Sequence, residues 1–203
     1  MDRRTLNLGI LAAAALPWLP ARAWALDLEA ALSPRVMGDP DAPVTMLEFA
    51  SMTCPHCASF HVNTLDEIRT TYIDTGKVKL EMRDFPLDRY ALMASAMARA
   101  APEDRYFGLV DLLFKQQAKW TRGDGNQIAE NLVQIGRFAG IKEEDAIEAM
   151  TSQALADGIL EIRLAAQKEF EITSTPTFVI NGTKVSGAQN FSDFKDVIED
   201  KLG

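Results

Sequence analysis

The chain has 203 residues, of which 47% are hydrophobic and 25% are charged, and its formal net charge at pH 7 is −8. This length predicts one domain, or one domain with a large insertion, and it allows a sizeable core that needs no disulfide to hold it together. A negative net charge repels nucleic acids and anionic membrane surfaces, so we expect no nucleic-acid partner.

The start of the chain has the pattern of a cleaved export signal. Arg3 and Arg4 precede an apolar run over residues 6–16 that is too short to cross the core of a membrane. Alanines at A-x-A spacing follow, so we expect cleavage after Ala23 or Ala25 and a periplasmic mature protein. The paired arginines leave both the Sec and the twin-arginine export routes open.

The next part of the chain alternates strand and helix signals. Residues 38–43 form a turn cluster before the apolar run Val44–Ala50, which predicts a buried strand. Apolar residues at helical spacing then continue to about Asp74, and Gly76 is expected to end this helix. Polar and apolar residues alternate over 77–83, which predicts a second strand.

The remainder predicts a helical block followed by a hairpin and a last helix. Helix formers dominate residues 87–170, where strand formers are scarce. Two short β-prone runs flank Asn181 and Gly182, the residue pair preferred in a type I′ turn because both positions need positive φ. An amphipathic helix is expected over 191–202. This order of elements predicts an α/β fold that is interrupted by a helical insertion.

The segment MTCPHCASFH, residues 52–61, contains both cysteines and both histidines of the chain. These residue types could form a redox centre, a metal site or a structural disulfide. A disulfide between Cys54 and Cys57 would close a loop of only two residues, so a structural role is the weakest interpretation. A structural zinc site typically needs a second Cys-x-x-Cys or a distant pair of histidines, and the sequence has neither.

The position of this segment between a strand and a helix favours thiol–disulfide exchange. Cys54 is expected at the first helical turn, where free N–H groups and the helix dipole stabilise a thiolate. Pro55 suits this turn because its missing N–H would have no partner there, and His56 can add a charge or a hydrogen bond. Cys57 is expected to be less exposed and to act as the resolving sulfur. His61 is expected to lie on the helix surface or to pack, without a role as ligand or base.

Several motifs together resemble the DsbA-type thiol:disulfide oxidoreductases. They are Gly-Asp-Pro-Asp-Ala-Pro-Val from Gly38, Leu47-Glu-Phe, Cys54-Pro-His-Cys57, Phe85-Pro-Leu and Thr175-Pro-Thr-Phe. The resemblance covers nearly all of the chain after the export signal at 1–25. It implies a thioredoxin-like fold formed by residues 26–86 and 171–203, with a helical insertion at 87–170 between the two parts.

The resemblance also implies a second component of the active site, far from the cysteines in the chain. Thr175 and Pro176 would be joined by a cis peptide that faces Cys54. A proline at this position offers no N–H, and the backbone beside it would be free to pair with an extended substrate segment. We therefore expect Thr175 and Pro176 to contribute to substrate binding.

Glu48 interrupts an otherwise apolar strand shortly before Cys54. A buried carboxylate without a partner is costly, so it normally takes up a proton or pairs with a cation. In the family that the chain resembles, an acid at the matching position assists proton movement during exchange, sometimes paired with a lysine of the following strand. The alternative is a structural carboxylate paired with a basic neighbour such as Arg83 or Lys79.

The expected function is that of a periplasmic oxidase that donates its Cys54–Cys57 disulfide to unfolded exported proteins and uses neither a bound cofactor nor a metal. The resemblance implies reoxidation by a DsbB-like membrane partner. A disulfide isomerase or reductase on the same scaffold is the nearest alternative, but residues 26–37 are too few for a dimerisation domain, so we expect a monomer. A periplasmic metal-binding or holdase protein is the alternative from another class.

Overall fold

The computed structural model describes residues 26–203, so the expected export signal lies outside the described residues. A five-stranded mixed sheet lies at the centre, with the strand order β1-β3-β2-β4-β5. Its strands are β1 (Arg35–Met37), β2 (Val44–Ala50), β3 (Val78–Asp84), β4 (Thr177–Ile180) and β5 (Thr183–Ser186). The central strands β2 and β3 are parallel to each other. The other three neighbouring pairs, β1 with β3, β2 with β4 and β4 with β5, are antiparallel.

Ten α-helices and one π-helical turn make up the rest of the regular structure in residues 26–203. The helices are α1 (Leu28–Leu32), α2 (Pro55–Asn63), α3 (Leu65–Ile68), α4 (Arg89–Arg99), α5 (Glu103–Lys115), α6 (Gln117–Trp120), α7 (Gly125–Phe138), α8 (Glu143–Thr151), α9 (Gln153–Glu169) and α10 (Phe191–Leu202), and the π-helical turn is Arg69–Ile73. Helices α4 to α9 lie between β3 and β4 in the chain. The predicted α/β class is therefore confirmed. None of the described helices is both long and apolar enough to cross a membrane.

The hairpin between β4 and β5 has the predicted turn. Asn181 and Gly182 have φ values of 41° and 88°, the positive values that a type I′ turn requires. The Asn181 side chain also accepts a hydrogen bond from the Thr45 N–H (2.9 Å) and donates one to the Pro43 carbonyl oxygen (3.1 Å). These two bonds join the turn to the start of β2, so the hairpin helps to fix the central strand.

The prediction of one continuous helix from the cysteines to about Asp74 is wrong. Helix α2 ends at Asn63, because the backbone of Thr64 leaves the helical region at φ −123°. The Thr64 N–H still donates to the carbonyl oxygen of Phe60, and the Thr64 hydroxyl donates to the carbonyl oxygen of Gln189, which lies far away in the chain. The helical path resumes in α3 and ends in the π-helical turn, before Gly76 at φ 72°.

Apolar side chains cover both faces of the sheet. On one face, Phe60 of α2, Phe178 of β4 and Phe194 of α10 have ring centroids 4.5–5.4 Å apart. On the opposite face, Phe49 of β2 packs on the ring of Phe170, just after α9. Side chains alternate along a strand, so Glu48 points to the face that carries α2 and α10. The one carboxylate of β2 therefore faces the core beneath the cysteine helix.

A buried ion pair fastens the helical block to the sheet. The Arg99 guanidinium at the end of α4 donates from Nε to Asp84 at the end of β3, and both side chains are buried. Arg99 Nη1 also donates to the carbonyl oxygens of Ala31 and Ser33, while Arg35 of β1 donates to the Arg99 carbonyl oxygen. These bonds connect α1 and β1 to the helical block. Neither short element is predicted from the sequence.

Candidate active site

The two cysteines occupy the start of α2, as predicted. Cys54 is the N-cap residue, directly followed by Pro55 in the first helical turn. Cys54 is 6% exposed and Cys57 is 0% exposed, and the two are free thiols. The prediction that Cys57 is the less exposed sulfur is therefore confirmed, and Cys54 is the sulfur that an incoming thiol can reach.

Hydrogen bonds favour the thiolate of Cys54. The largest contribution is a bond from the Cys57 thiol, which outweighs the opposing effect of burial, and Thr175 and the backbone N–H groups of Cys57 and His56 add to it. Together these donors lower the pKa of Cys54 from an ordinary value of 9.0 to about 5. Cys54 is thus a thiolate at neutral pH in the dithiol form, and it is a good leaving group.

The environment of Cys57 has the opposite effect. Burial is the main cause that raises the pKa of the Cys57 thiol far above its ordinary value, and the hydrogen bond to Cys54 and the charges of Cys54 and Glu48 raise it further. Cys57 therefore keeps its proton while Cys54 gives up its own. This asymmetry fits the expected division between an attacking Cys54 and a resolving Cys57.

The segment Thr175–Pro176 lies against Cys54, across the active site from α2. Its peptide bond is cis, as the resemblance implies. The Cys54 sulfur lies 3.3 Å from the Thr175 carbonyl oxygen, to which the protonated thiol can donate. The Thr175 hydroxyl is buried and has no partner among the described residues, so it can donate to the thiolate form instead. The two contacts thus serve the two protonation states of Cys54.

Pro55 and His56 are both exposed at the surface above the cysteines. The backbone N–H of His56 contributes to the low pKa of Cys54. We expected the His56 imidazole to supply a charge or a hydrogen bond, but among the described residues its side chain makes no hydrogen bond or ion pair. Its exposure leaves the imidazole free to contact an incoming protein.

The partner of Glu48 is His61, which the sequence did not indicate. Glu48 Oε1 lies 2.9 Å from His61 Nε2, in an almost fully buried pair. The suggested partners Arg83 and Lys79 are wrong, because Arg83 pairs with Glu81 and Lys79 donates to a backbone carbonyl. A surface position for His61 is also wrong, and the packed alternative is correct.

Two acids hold the proton on His61. Burial by itself would lower the pKa of this imidazole, but the charges of Glu48 and Asp111 raise it to about 9. Asp111 of α5 lies 3.6 Å from His61 Nδ1, and the ring of Phe114 stacks on the imidazole at 4.2 Å. One sequence signal could have indicated the burial of His61: it follows Cys57 by four residues, which places both on one face of the helix.

The helical block also contacts residues 51–54, the loop between β2 and α2, which we call the active-site loop. Gln117 of α6 donates from Nε2 to the carbonyl oxygens of Met52 (2.9 Å) and Cys54 (3.0 Å). The Thr53 hydroxyl donates to Asp88, the N-cap residue of α4, at 2.6 Å. Local sequence carries no signal for these contacts, because Gln117 and Cys54 are 63 residues apart in the chain.

No group of three or more His, Cys, Asp or Glu residues in the described part of the chain is arranged to hold a metal ion. The groups that surround Cys54 are hydrogen-bond donors from Cys57, Thr175 and His56. Cys54 and Cys57 are an acidic thiol beside a buried second thiol, the two groups that can form and break a disulfide.

Known sequences that are similar to this chain support the same chemistry. A protein of Rickettsia bellii that bears the name of a protein-disulfide oxidoreductase is 30% identical over 158 residues, which are 77% of this chain and 59% of that protein. The chain therefore spans little more than half the length of this relative. Disulfide bond formation protein D of Bacillus subtilis is 27% identical over 176 residues, 82% of this chain and 76% of the relative.

Solved structures and a family model identify the fold. The alpha-DsbA1 protein of Wolbachia pipientis superposes with a TM-score of 0.77 at 30% identity, covering 84% of this chain and 92% of that one. BdbD of Bacillus subtilis, at 23% identity, shares the fold with a TM-score of 0.74 over 83% of this chain and 92% of its own. The model of a family described as thioredoxin matches residues 31–200. The chain thus belongs to the thioredoxin family, with a thioredoxin-like fold whose structural neighbours are DsbA-type proteins.

Proposed function

We propose that the chain is a dithiol oxidase that donates the Cys54–Cys57 disulfide to other proteins. The observation that carries this proposal is the low pKa of Cys54 beside a buried, protonated Cys57. A stable Cys54 thiolate lowers the free energy of the dithiol form relative to the disulfide. The disulfide is then readily reduced by substrate thiols, which makes it an oxidant.

The reaction proceeds by two exchange steps. A substrate thiolate attacks Cys54 Sγ, the bond between Cys54 and Cys57 breaks, and Cys57 leaves with the electron pair and takes up a proton. A second substrate thiolate then attacks the substrate sulfur of the mixed disulfide, and Cys54 leaves as a thiolate. The substrate has lost two electrons and gained a disulfide, and the protein has become a dithiol.

The substrates that we propose are unfolded exported proteins, and the compartment is the periplasm. The backbone beside Pro176 lies against Cys54, where an extended polypeptide can pair with it. Reoxidation by a DsbB-like membrane partner and action as a monomer are part of the same proposal. The names of the Bacillus and Rickettsia relatives support the chemistry but not these finer assignments.

A redox titration of the purified protein against glutathione, together with a pH titration of thiolate absorbance, tests the proposal. We expect an oxidising couple and a Cys54 pKa near 5. A couple as reducing as that of thioredoxin, about −270 mV, would favour a reductase instead.

Trapping variants test the roles of the two sulfurs. Cys57→Ala, first converted at Cys54 to its mixed disulfide with glutathione, should exchange with reduced unfolded proteins and accumulate their mixed disulfides, because no Cys57 thiol remains to attack Cys54 and release the bound protein. Cys54→Ala should trap none, because Cys57 is fully buried. Non-reducing electrophoresis and mass spectrometry detect the adducts. Equal trapping by both variants would contradict the assigned roles.

A further inference from the structure

A cavity of about 320 Å³ borders α1, β1 and the turn that joins α4 to α5. Its lining includes two arginines, Arg35 of β1 and Arg99 of α4, which are 4% and 2% exposed. Apolar residues, among them Leu26, Ala101 and Pro102, form most of the remaining wall. The cavity therefore combines two buried cations with an apolar surface, and disulfide exchange at the cysteines uses neither.

The two guanidinium groups share one buried counterion. Arg99 Nε donates to Asp84, and among residues 26–203 no other carboxylate forms an ion pair with either arginine. Arg35 donates from Nη2 to the Arg99 carbonyl oxygen (2.7 Å), and its guanidinium lies 5.2 Å from the centre of the Tyr106 ring. Burial is the main cause that lowers the pKa of Arg35, and the charge of Arg99 lowers it as well. A buried charge without a counterion is costly, so two cations with one anion favour a further anion.

Each arginine has one terminal nitrogen that is available to a ligand. Nε and Nη1 of Arg99 and Nη2 of Arg35 donate hydrogen bonds within the described residues. Arg35 Nη1 and Arg99 Nη2 make no such bond there, yet neither is among the fully buried polar atoms that lack a partner. Both nitrogens are therefore accessible to solvent, and both side chains border the cavity. Two guanidinium groups thus present free donors to the same space.

The rest of the lining determines which kind of anion fits. Guanidinium donors match the oxygens of a carboxylate or a phosphate. Asp27 and Glu103 also line the cavity, and they repel a ligand that carries two or three negative charges. The apolar wall favours a ligand with a hydrocarbon part, and the volume is at the small end of the range for ligand sites. A small monoanion with a short apolar chain meets all of these conditions.

We propose that this cavity binds a small organic monocarboxylate, whose carboxylate accepts hydrogen bonds from Arg35 and Arg99 while its hydrocarbon part contacts the apolar wall. The inference goes beyond the proposed function and does not rest on it, because neither the active-site loop nor Cys57 or Thr175 lines the cavity. It assigns a second binding site to a part of the molecule that disulfide exchange does not use.

Isothermal titration calorimetry with hexanoate tests the proposal. The protein is purified as the cell processes it, oxidised to its disulfide form and titrated in a buffer of neutral pH and low, constant ionic strength. We expect saturable binding of one hexanoate per chain. Hexanamide has the same hydrocarbon chain without the charge and should bind at least about tenfold more weakly, because hydrogen bonds between charged groups are the stronger ones. Acetate lacks the hydrocarbon part and inorganic phosphate carries more charge, so both should bind more weakly than hexanoate.

Two variants test the assigned groups separately. Arg35→Met removes the charge but keeps an unbranched side chain, and it should weaken hexanoate binding by at least about tenfold. Ala30 lines the cavity on α1, so Ala30→Leu narrows the space while both arginines stay in place, and it should weaken hexanoate and hexanamide alike. Arg83→Met is the matched control, because Arg83 pairs with Glu81 outside the cavity, and it should bind hexanoate as the wild type does.

Several outcomes would overturn the inference. They are a wild-type protein without saturable hexanoate binding, equal affinities for hexanoate and hexanamide, and wild-type affinity in Arg35→Met or Ala30→Leu. Phosphate binding that is tighter than hexanoate binding would replace the carboxylate site with a phosphate site. If Arg35→Met does not fold, as judged by urea unfolding, Ala30→Leu and the comparison of hexanoate with hexanamide decide the question. None of these results bears on the oxidase proposal, which the redox titration tests.

Discussion

At the scale of single residues, the site depends on a difference between two thiols three positions apart. Cys54 caps a helix and receives several hydrogen bonds, whereas Cys57 is enclosed by the core. A helix dipole by itself contributes about 0.3–1 kcal/mol, which is less than one pKa unit. The additional donors, Thr175 among them, account for the rest of the lowered pKa of Cys54.

The substitution Thr175→Val tests the contribution of one such donor. Valine keeps the shape but removes the hydroxyl, so we expect the pKa of Cys54 to rise by roughly one unit, since a hydrogen bond to a charged group contributes about 1.5 kcal/mol. Thiolate absorbance as a function of pH measures the change. Thr70→Val is the control, because the Thr70 hydroxyl bonds only to carbonyl oxygens of its own helical segment. An unchanged Cys54 pKa in Thr175→Val would contradict the assigned hydrogen bond.

At the scale of elements, the active-site loop is held from two directions. The thioredoxin-like part supplies β2, α2 and the Thr175–Pro176 segment, while α6 and the start of α4 bond to the loop from the helical block. The block is therefore connected to the site by hydrogen bonds. Gln117 is the residue of the block that bonds to Cys54 itself, through the Cys54 carbonyl oxygen.

Gln117→Ala should loosen the active-site loop without removing any reacting group. Two backbone carbonyl oxygens lose their donor, so we expect a loss of about 1 kcal/mol in the free energy of unfolding, measured with urea. We also expect an altered rate of Cys54 alkylation by iodoacetamide at pH 7. Gln134→Ala on the exposed face of α7 is the control. If Gln117→Ala matches this control in both measurements, α6 does not position the loop.

At the scale of the whole molecule, two buried ion pairs connect the central sheet to the helices that pack on it. The Arg99–Asp84 pair joins α4 to the end of β3, and the Glu48–His61 pair joins the sheet to α2. These pairs are far from solvent, so their net contribution to stability depends on complete hydrogen bonding. The change of redox state alters the bonding of the two cysteines. The difference in the free energy of unfolding between the two redox forms therefore reports on the cysteines.

The stability difference between the dithiol and disulfide forms should depend on pH with a defined sign. The Cys54 pKa is lowered from 9.0 to about 5 by folding, so the unfolded dithiol chain binds more protons between these values. The dithiol form should therefore gain stability relative to the disulfide form as pH rises from 5 to 9, and lose it as pH falls.

Urea unfolding of both redox forms across this pH range measures the difference. Subtracting the disulfide form removes the contribution of His61, whose raised pKa of about 9 acts in the opposite direction, being lost as pH rises. The Cys57 contribution is constant up to about pH 8, where its thiol is protonated in both the folded and the unfolded chain. Closer to pH 9 the unfolded thiol begins to ionise, which offsets part of the gain from Cys54. A difference that is independent of pH would contradict the low pKa of Cys54.

The amino-acid sequence by itself determined the features that depend on near neighbours. The helix N-terminus at Cys54 follows from a strand, a cysteine and a proline in succession. The I′ turn follows from Asn181-Gly182, and the central strands follow from apolar runs. In each case the physical cause acts within a few residues, through backbone sterics or the periodicity of burial.

Only the tertiary structure decided the features that join distant parts of the chain. Glu48 pairs with His61 because β2 lies beneath α2, and the continuous helix predicted after the cysteines is broken where Thr64 bonds to Gln189. Gln117 reaches the Cys54 carbonyl oxygen because the helical block packs beside the loop. Pair energies of this kind depend on burial and on distances of about 3 Å, which residue spacing along the chain does not encode.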